Sequence, residues 1–272
     1  MIHFPWRKRK PAPVQEGAER KLSYQCGAMQ GIGSRQWQED AYTLVNALDV
    51  TKAGKEGLLA VVADGMGGMQ GGAQASAKAI AVAEADFAIL DRTQPLEPQL
   101  VGCVEHACEQ VYALLHGIGG STMVSCMLYD QQLYYAGVGD SYLYLLRGGL
   151  LRRINREQNL RQKTWLQGIR RGCIDPAQAD GSDPQMQAVT QFLGIDRLED
   201  VDCLRRAMPL ESGDVLLLCS DGVGGVLTPE EIAQCLGGKS ANEACSALNS
   251  AVLQKQEPHQ DNFTAIVIRC EK

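Results

Sequence analysis

A chain of 272 residues with 45% hydrophobic side chains can fill one large core or two small ones, which excludes global disorder. Its net charge of -6 argues against general nucleic-acid or anionic-membrane binding. The ten cysteines, scattered from Cys26 to Cys270 with no CxxC pair, read as reduced thiols of a cytoplasmic protein rather than a disulfide framework. No apolar run approaches the roughly 18 residues of a membrane span. Residues 1–20 form a basic tail around Arg7-Lys8-Arg9-Lys10, without the apolar stretch of a signal peptide, and are expected to be disordered.

Beyond the tail, Leu22, Tyr24, Cys26 and Ala28 alternate with polar residues as in a half-buried strand, which Gly31 and Gly33 are expected to break. Residues 41–45 form the next strand. Residues 58–63 are six consecutive apolar positions, a strand buried on both faces, and they run into Asp64-Gly65-Met66-Gly67-Gly68. Helices follow over 73–90, alanine-rich, and 97–116, where Leu100, Val104, Cys108, Val111 and Leu115 share a face. A strand-rich block covers 122–128, 133–136 and 142–146, with Gly148-Gly149 as a two-residue hairpin turn. Tight turns between strands mean antiparallel sheet, so a Rossmann-type alternation is disfavoured.

Helix starts are expected at 155–158 and 175–178, each an N-cap residue with Gln three positions on, and the polar region of about 160–193 reads as a small helical insertion. The strand 215–219 then runs into Ser220-Asp221-Gly222, repeating the pattern of apolar strand, Asp, Gly. Capping boxes at Thr228-Pro229-Glu230-Glu231 and Ser240-Ala241-Asn242-Glu243 open two helices, and the last strand follows Asp261-Asn262. These elements make a single α+β domain over 21–272, sheets covered by helices.

Five aspartates stand at strand ends beside glycine or in tight turns: Asp40, Asp64, Asp140, Asp221 and Asp261. If they converge they cannot all stay ionised without cations, since two unit charges about 4 Å apart repel by roughly 4 kcal/mol at an effective dielectric of 20. Oxygen ligands without His or Cys select hard cations, Mg²⁺ or Mn²⁺. Two such ions bridged by a carboxylate and a water make hydroxide available near neutral pH for in-line attack on phosphorus. Arg35, just before the Glu39-Asp40 pair, is the natural bidentate phosphate ligand.

Arg35-x-x-x-Glu39-Asp40, Asp64-Gly65-Met66-Gly67-Gly68, Gly120-Ser121-Thr122, Gly139-Asp140-Ser141, Ser220-Asp221-Gly222 and Asp261-Asn262, in that order, resemble the metal-dependent serine/threonine protein phosphatases, PPM or type 2C. The resemblance covers about 22–269, and Met after Asp-Gly is similar to the bacterial branch. It implies two antiparallel β-sheets packed as a sandwich with helices on both outer faces, plus a helical flap at about 160–193. It also implies that Asp64 bridges two metals, with the Gly65 carbonyl on one and Asp221 and Asp261 completing the other. Glu39 and Asp40 would hold metal-bound waters, Asp140 with Asp221 a third, weaker metal, and Arg35 the substrate phosphate.

The sequence departs from the family at four places. Met66 replaces a His proposed as general acid, which leaves a metal-bound water for that task, and Met69 replaces another His. Tyr142 stands where Arg is frequent, and Glu157-Gln158-Asn159 where Asp-His-Ser is common. Trp37 reads as packing and His259 as a surface histidine. The implied activity is hydrolysis of phosphoserine and phosphothreonine in proteins, with a serine/threonine kinase and its targets as partners. The alternatives are a phosphoprotein-binding pseudophosphatase and a phosphatase of small phosphorylated metabolites.

Overall fold

The computed structural model describes residues 21–66, 71–172 and 184–272. The basic tail, Gly67, Gly68, Met69 and the expected helix start at 175–178 lie outside the described residues. The strands are β1 Ser23–Gly31, β2 Asp40–Val45, β3 Leu58–Asp64, β4 Met123–Tyr129, β5 Gln132–Val138, β6 Tyr142–Arg147, β7 Leu150–Arg153, β8 Asp202–Cys203, β9 Met208–Pro209, β10 Val215–Cys219 and β11 Phe263–Glu271. The helices are α1 Val50–Glu56, α2 Gly72–Ile89, α3 Leu96–Leu115, α4 Leu160–Arg170, α5 Asp221–Gly224, α6 Pro229–Leu236 and α7 Ala241–Gln254.

The strands form two antiparallel sheets, ordered β1-β11-β10-β6-β7 and β2-β3-β4-β5-β8, with β9 also paired to β5. Alternation along each strand decides what lies on either side. Leu58, Ala60 and Val62 face Leu216, Leu218, Ile266 and Ile268 in the layer between the sheets. Their neighbours Leu59, Val61 and Ala63 face α2 and α3. On the other sheet Leu217, Cys219, Ala265 and Val267 pack beneath α6 and α7. The result is the expected four layers, helix–sheet–sheet–helix, and it explains why the central strands read as unbroken apolar runs. Truncating one fully buried member, as in Leu216→Ala, should cost about 2–5 kcal/mol.

Local signals act as read in several places. Both capping boxes are formed, with Thr228 and Ser240 as caps and Glu231 and Glu243 reaching back. Gly148 and Gly149 take φ of 58° and 80°, the left-handed pair that a tight hairpin needs. β1 ends at Gly31, as expected, and Gly33 follows with φ of 61°. Gly31 lies opposite Phe263, whose ring leaves no room for a Cβ, the nearest atom being 2.0 Å away. The helix expected from residue 155 starts at Leu160, capped by Asn159. Asn155 and Gln158 are committed to the β5–β6 turn and its strands instead. Among the described residues the nine cysteines are free and no helix is long and apolar enough to cross a membrane.

Candidate functional site

Four strand ends and one turn deliver carboxylates to the same edge of the sandwich. β2 begins at Asp40 and β3 ends at Asp64, and the two are direct register partners. β10 ends at Cys219, paired with Ala265 near the start of β11, so Asp221 and Asp261 stand just beyond adjacent strand ends. Asp140 occupies the turn from β5 to β6. The two sheets are tied here by Ser220, whose Oγ donates to Asp40 Oδ2 at 2.8 Å and accepts from the Thr264 amide at 3.0 Å.

The backbone around each acid is fixed by hydrogen bonds. The Asp64 carbonyl accepts from the Thr122 amide (2.9 Å) and Ser121 Oγ (3.0 Å), so the Gly120-Ser121-Thr122 segment braces the end of β3. Gly65 donates to the Glu39 carbonyl, and a Cβ at Gly65 would lie 2.5 Å from that oxygen and 2.4 Å from the Gly72 carbonyl. Asn262 Oδ1 accepts from the Glu39 amide at 2.7 Å, while its Nδ2 donates to the Ile32 and Trp37 carbonyls. That one side chain joins the Arg35 loop to the end of the site that carries Asp261. Arg35 Nη2 itself donates to Asp261 Oδ2 at 2.5 Å.

The electrostatics are those of crowded like charges. Burial, then repulsion from Asp221, Asp40, Asp140 and Asp261, holds the Asp64 carboxyl well above the usual carboxylate range. Asp40, only 6% exposed, is pushed up to about 6, chiefly by burial, with the Thr264 and Ser220 hydroxyls pulling the other way. Asp140 rises to about 7, by burial and by repulsion from Asp221. Asp221 is raised by the crowding that strips water from it and by Asp261, although its side chain still reaches solvent. Burial also raises Glu39, with Arg35 opposing. Beside these groups opens a cleft of about 780 Å³, lined by Asp140, Tyr142, Asp221, Asp261 and the exposed His259, among others.

The donor set suits a hard divalent cation. Among the described residues the convergent aspartates offer carboxylate oxygens, and Asp40 Oδ1 is buried with no hydrogen-bond partner. A charged oxygen in that state is costly unless a cation or water meets it. Among the described residues no three His, Cys, Asp or Glu side chains are already drawn into a metal cage.

Three functional features escaped sequence reasoning. Gln158, buried, accepts from the Gly139 amide at 2.8 Å through its side chain and donates to the Gly139 carbonyl through its own amide, clamping the turn that carries Asp140. Asn155 and Arg153 hold the other side of that turn, through the Ser141 and Asp140 carbonyls. The guanidinium of Arg153 lies 3.9 Å from the centre of the Tyr142 ring, a cation–π contact. Trp37, expected to pack, is 64% exposed, because its loop is held through main-chain carbonyls and not through its ring.

No family model matches the sequence. The serine/threonine phosphatase Stp of Listeria monocytogenes is 27% identical over 221 residues, 77% of this chain and 83% of that protein. The serine/threonine protein phosphatase PstP of Mycobacterium tuberculosis is 30% identical over 218 residues, 77% of this chain and 40% of that protein. The crystal structure of the catalytic domain of PstP in complex with two manganese ions superposes with a TM-score of 0.72 at 24% identity, covering 92% of this chain and all of that one. With relatives of these names, this fold and the ordered acidic motifs at one sandwich edge, the chain belongs to the bacterial branch of the metal-dependent protein phosphatases, PPM or type 2C.

Proposed function

We propose that the chain hydrolyses phosphoserine and phosphothreonine in proteins, and that its acidic edge holds the two or three Mn²⁺ or Mg²⁺ ions this needs. The observation that carries the reading is the buried, partnerless Oδ1 of Asp40 in a cluster where Asp64 feels four other carboxylates. The metals would supply Lewis acidity and an activated water for in-line attack on phosphorus.

The chain's own residues then divide the work. Asp64, the Gly65 carbonyl, Asp221 and Asp261 would hold the pair of metals, Glu39 and Asp40 would hold the water around them, and Asp140 with Asp221 would take a third. Ser220 keeps Asp40 aimed from the opposite sheet, and Gln158, Asn155 and Arg153 fix the turn below Asp140. Arg35 binds phosphate, and as a planar donor on a loop pinned by Asn262 it orients the oxygens for displacement. Met66 has no proton to give, so no side chain at that position protonates the leaving oxygen. Cytoplasmic phosphoproteins, including a serine/threonine kinase and its targets, are the partners this reading implies. Turnover of a phosphothreonine peptide in Mn²⁺, with little on a sugar phosphate, is the expected result. Preference for the sugar phosphate would replace the protein substrate with a metabolite.

A further inference from the structure

Both oxygens of the Asp261 carboxylate are in use. Oδ1 accepts from the Asn262 amide at 2.8 Å, and Oδ2 accepts from Arg35 Nη2 at 2.5 Å. The first donor is main chain in a segment locked to Ile32, Trp37 and Glu39 through the Asn262 side chain, so it cannot withdraw. The second is a long side chain, 44% exposed against 42% for Asp261, so its departure would disturb no core packing. Each oxygen keeps a further lone pair, but a cation arriving at Oδ2 meets Arg35 already there. A divalent ion on that oxygen would sit within about 5 Å of the guanidinium, close enough for like charges to repel strongly.

We propose that Arg35 latches the metal-free centre: it holds Asp261 until a cation displaces it, and its release presents the guanidinium to the substrate phosphate. The proposal rests on the phosphatase reading above. It makes metal and phosphate binding mutually reinforcing, and linkage requires the coupling to be equal in both directions. It also gives Arg35 effects of opposite sign on the two ligands. Loss of the side chain weakens phosphate binding and strengthens metal binding.

Calorimetric titration of Mn²⁺ into chelator-stripped protein, with no phosphate present, tests this on wild type, Arg35→Ala and Arg161→Gln. Arg161 lines the same cleft and pairs with Glu157, so its neutralisation removes an equal charge from the same field without touching Asp261. Arg35→Ala is expected to bind Mn²⁺ about fivefold tighter, the upper end for releasing an exposed ion pair. Most of that gain should persist at high salt, where the field of a distant charge is screened. Arg161→Gln should change affinity by less than about twofold. The Arg35 Nε–H resonance of wild type should also shift as Mg²⁺ is added. Equal affinity of wild type and Arg35→Ala, a gain matched by Arg161→Gln, or an Arg35 resonance unmoved at Mg²⁺ saturation would overturn the latch and leave the phosphatase reading standing. Wild-type protein that binds no Mn²⁺ would overturn both.

Discussion

Asp40→Asn should make the metal-free protein more stable while weakening its hold on metal. Asp40 is buried with its carboxyl raised to about 6, so keeping it ionised at about pH 8 costs the fold about 3 kcal/mol relative to water. The amide keeps the shape and the bond from Ser220 while removing the buried charge. The sign follows from linkage. A carboxyl raised by folding binds more protons folded than unfolded, so stability falls as pH rises from about 4 to about 6, and the penalty is complete above that. The gain of the variant in chelator should therefore be full near pH 8, at most about 3 kcal/mol or roughly 6–9 °C in melting temperature, and vanish near pH 4. Excess Mn²⁺ should reverse the order, because ligand stabilisation grows with affinity and the wild type binds more tightly. Melting curves at the two pH values, with chelator and with Mn²⁺, supply all four comparisons. A variant that melts no higher than wild type at pH 8 in chelator, or whose gain is the same at pH 4, would refute the electrostatic reasoning.

Asp221→Asn should lower phosphopeptide turnover at least about a hundredfold, roughly 2.7 kcal/mol in barrier terms, with apo stability held or raised; normal turnover with unchanged Mn²⁺ affinity would remove Asp221 from the centre. Arg35→Ala should reduce kcat/KM on a phosphothreonine peptide by about one to two powers of ten, the worth of a charge-assisted contact to phosphate; unchanged kinetics would make it structural. Gln158→Ala leaves the Gly139 amide unpaired and should cost about 1–3 kcal/mol of stability, with weaker binding of the metal at Asp140. A melting temperature and Mn²⁺ isotherm equal to wild type would show that the clamp is idle.

Local chemistry was readable wherever a signal and its partner lie within a few residues. The two capping boxes, the Gly148-Gly149 hairpin and the apolar runs of β3 and β10 needed no tertiary information. The α4 start was misplaced because Asn155 and Gln158 carry cap-like chemistry that the fold spends elsewhere. Asn155 accepts from the Leu143 amide and Gln158 from the Gly139 amide, both on another strand or turn. α1 was missed since its seven residues bury none of their side chains, leaving Asp49 as cap the only mark. The two-residue strands β8 and β9 carry no periodicity at all. Within the site, the acids could be collected from sequence as a pattern, but their meeting depends on register across two sheets. The bond from Arg35 to Asp261 spans 226 positions and could come only from the fold.

The central claim is that these carboxylates act through the cations they hold. The most direct measurement titrates Mn²⁺ into chelator-stripped protein while following phosphate release from a phosphothreonine peptide, with bound metal counted in parallel. Turnover should be absent at zero occupancy, rise with the filling of the first two sites and return to nothing on renewed chelation. Full turnover in excess chelator, with no metal retained by the protein, would contradict it.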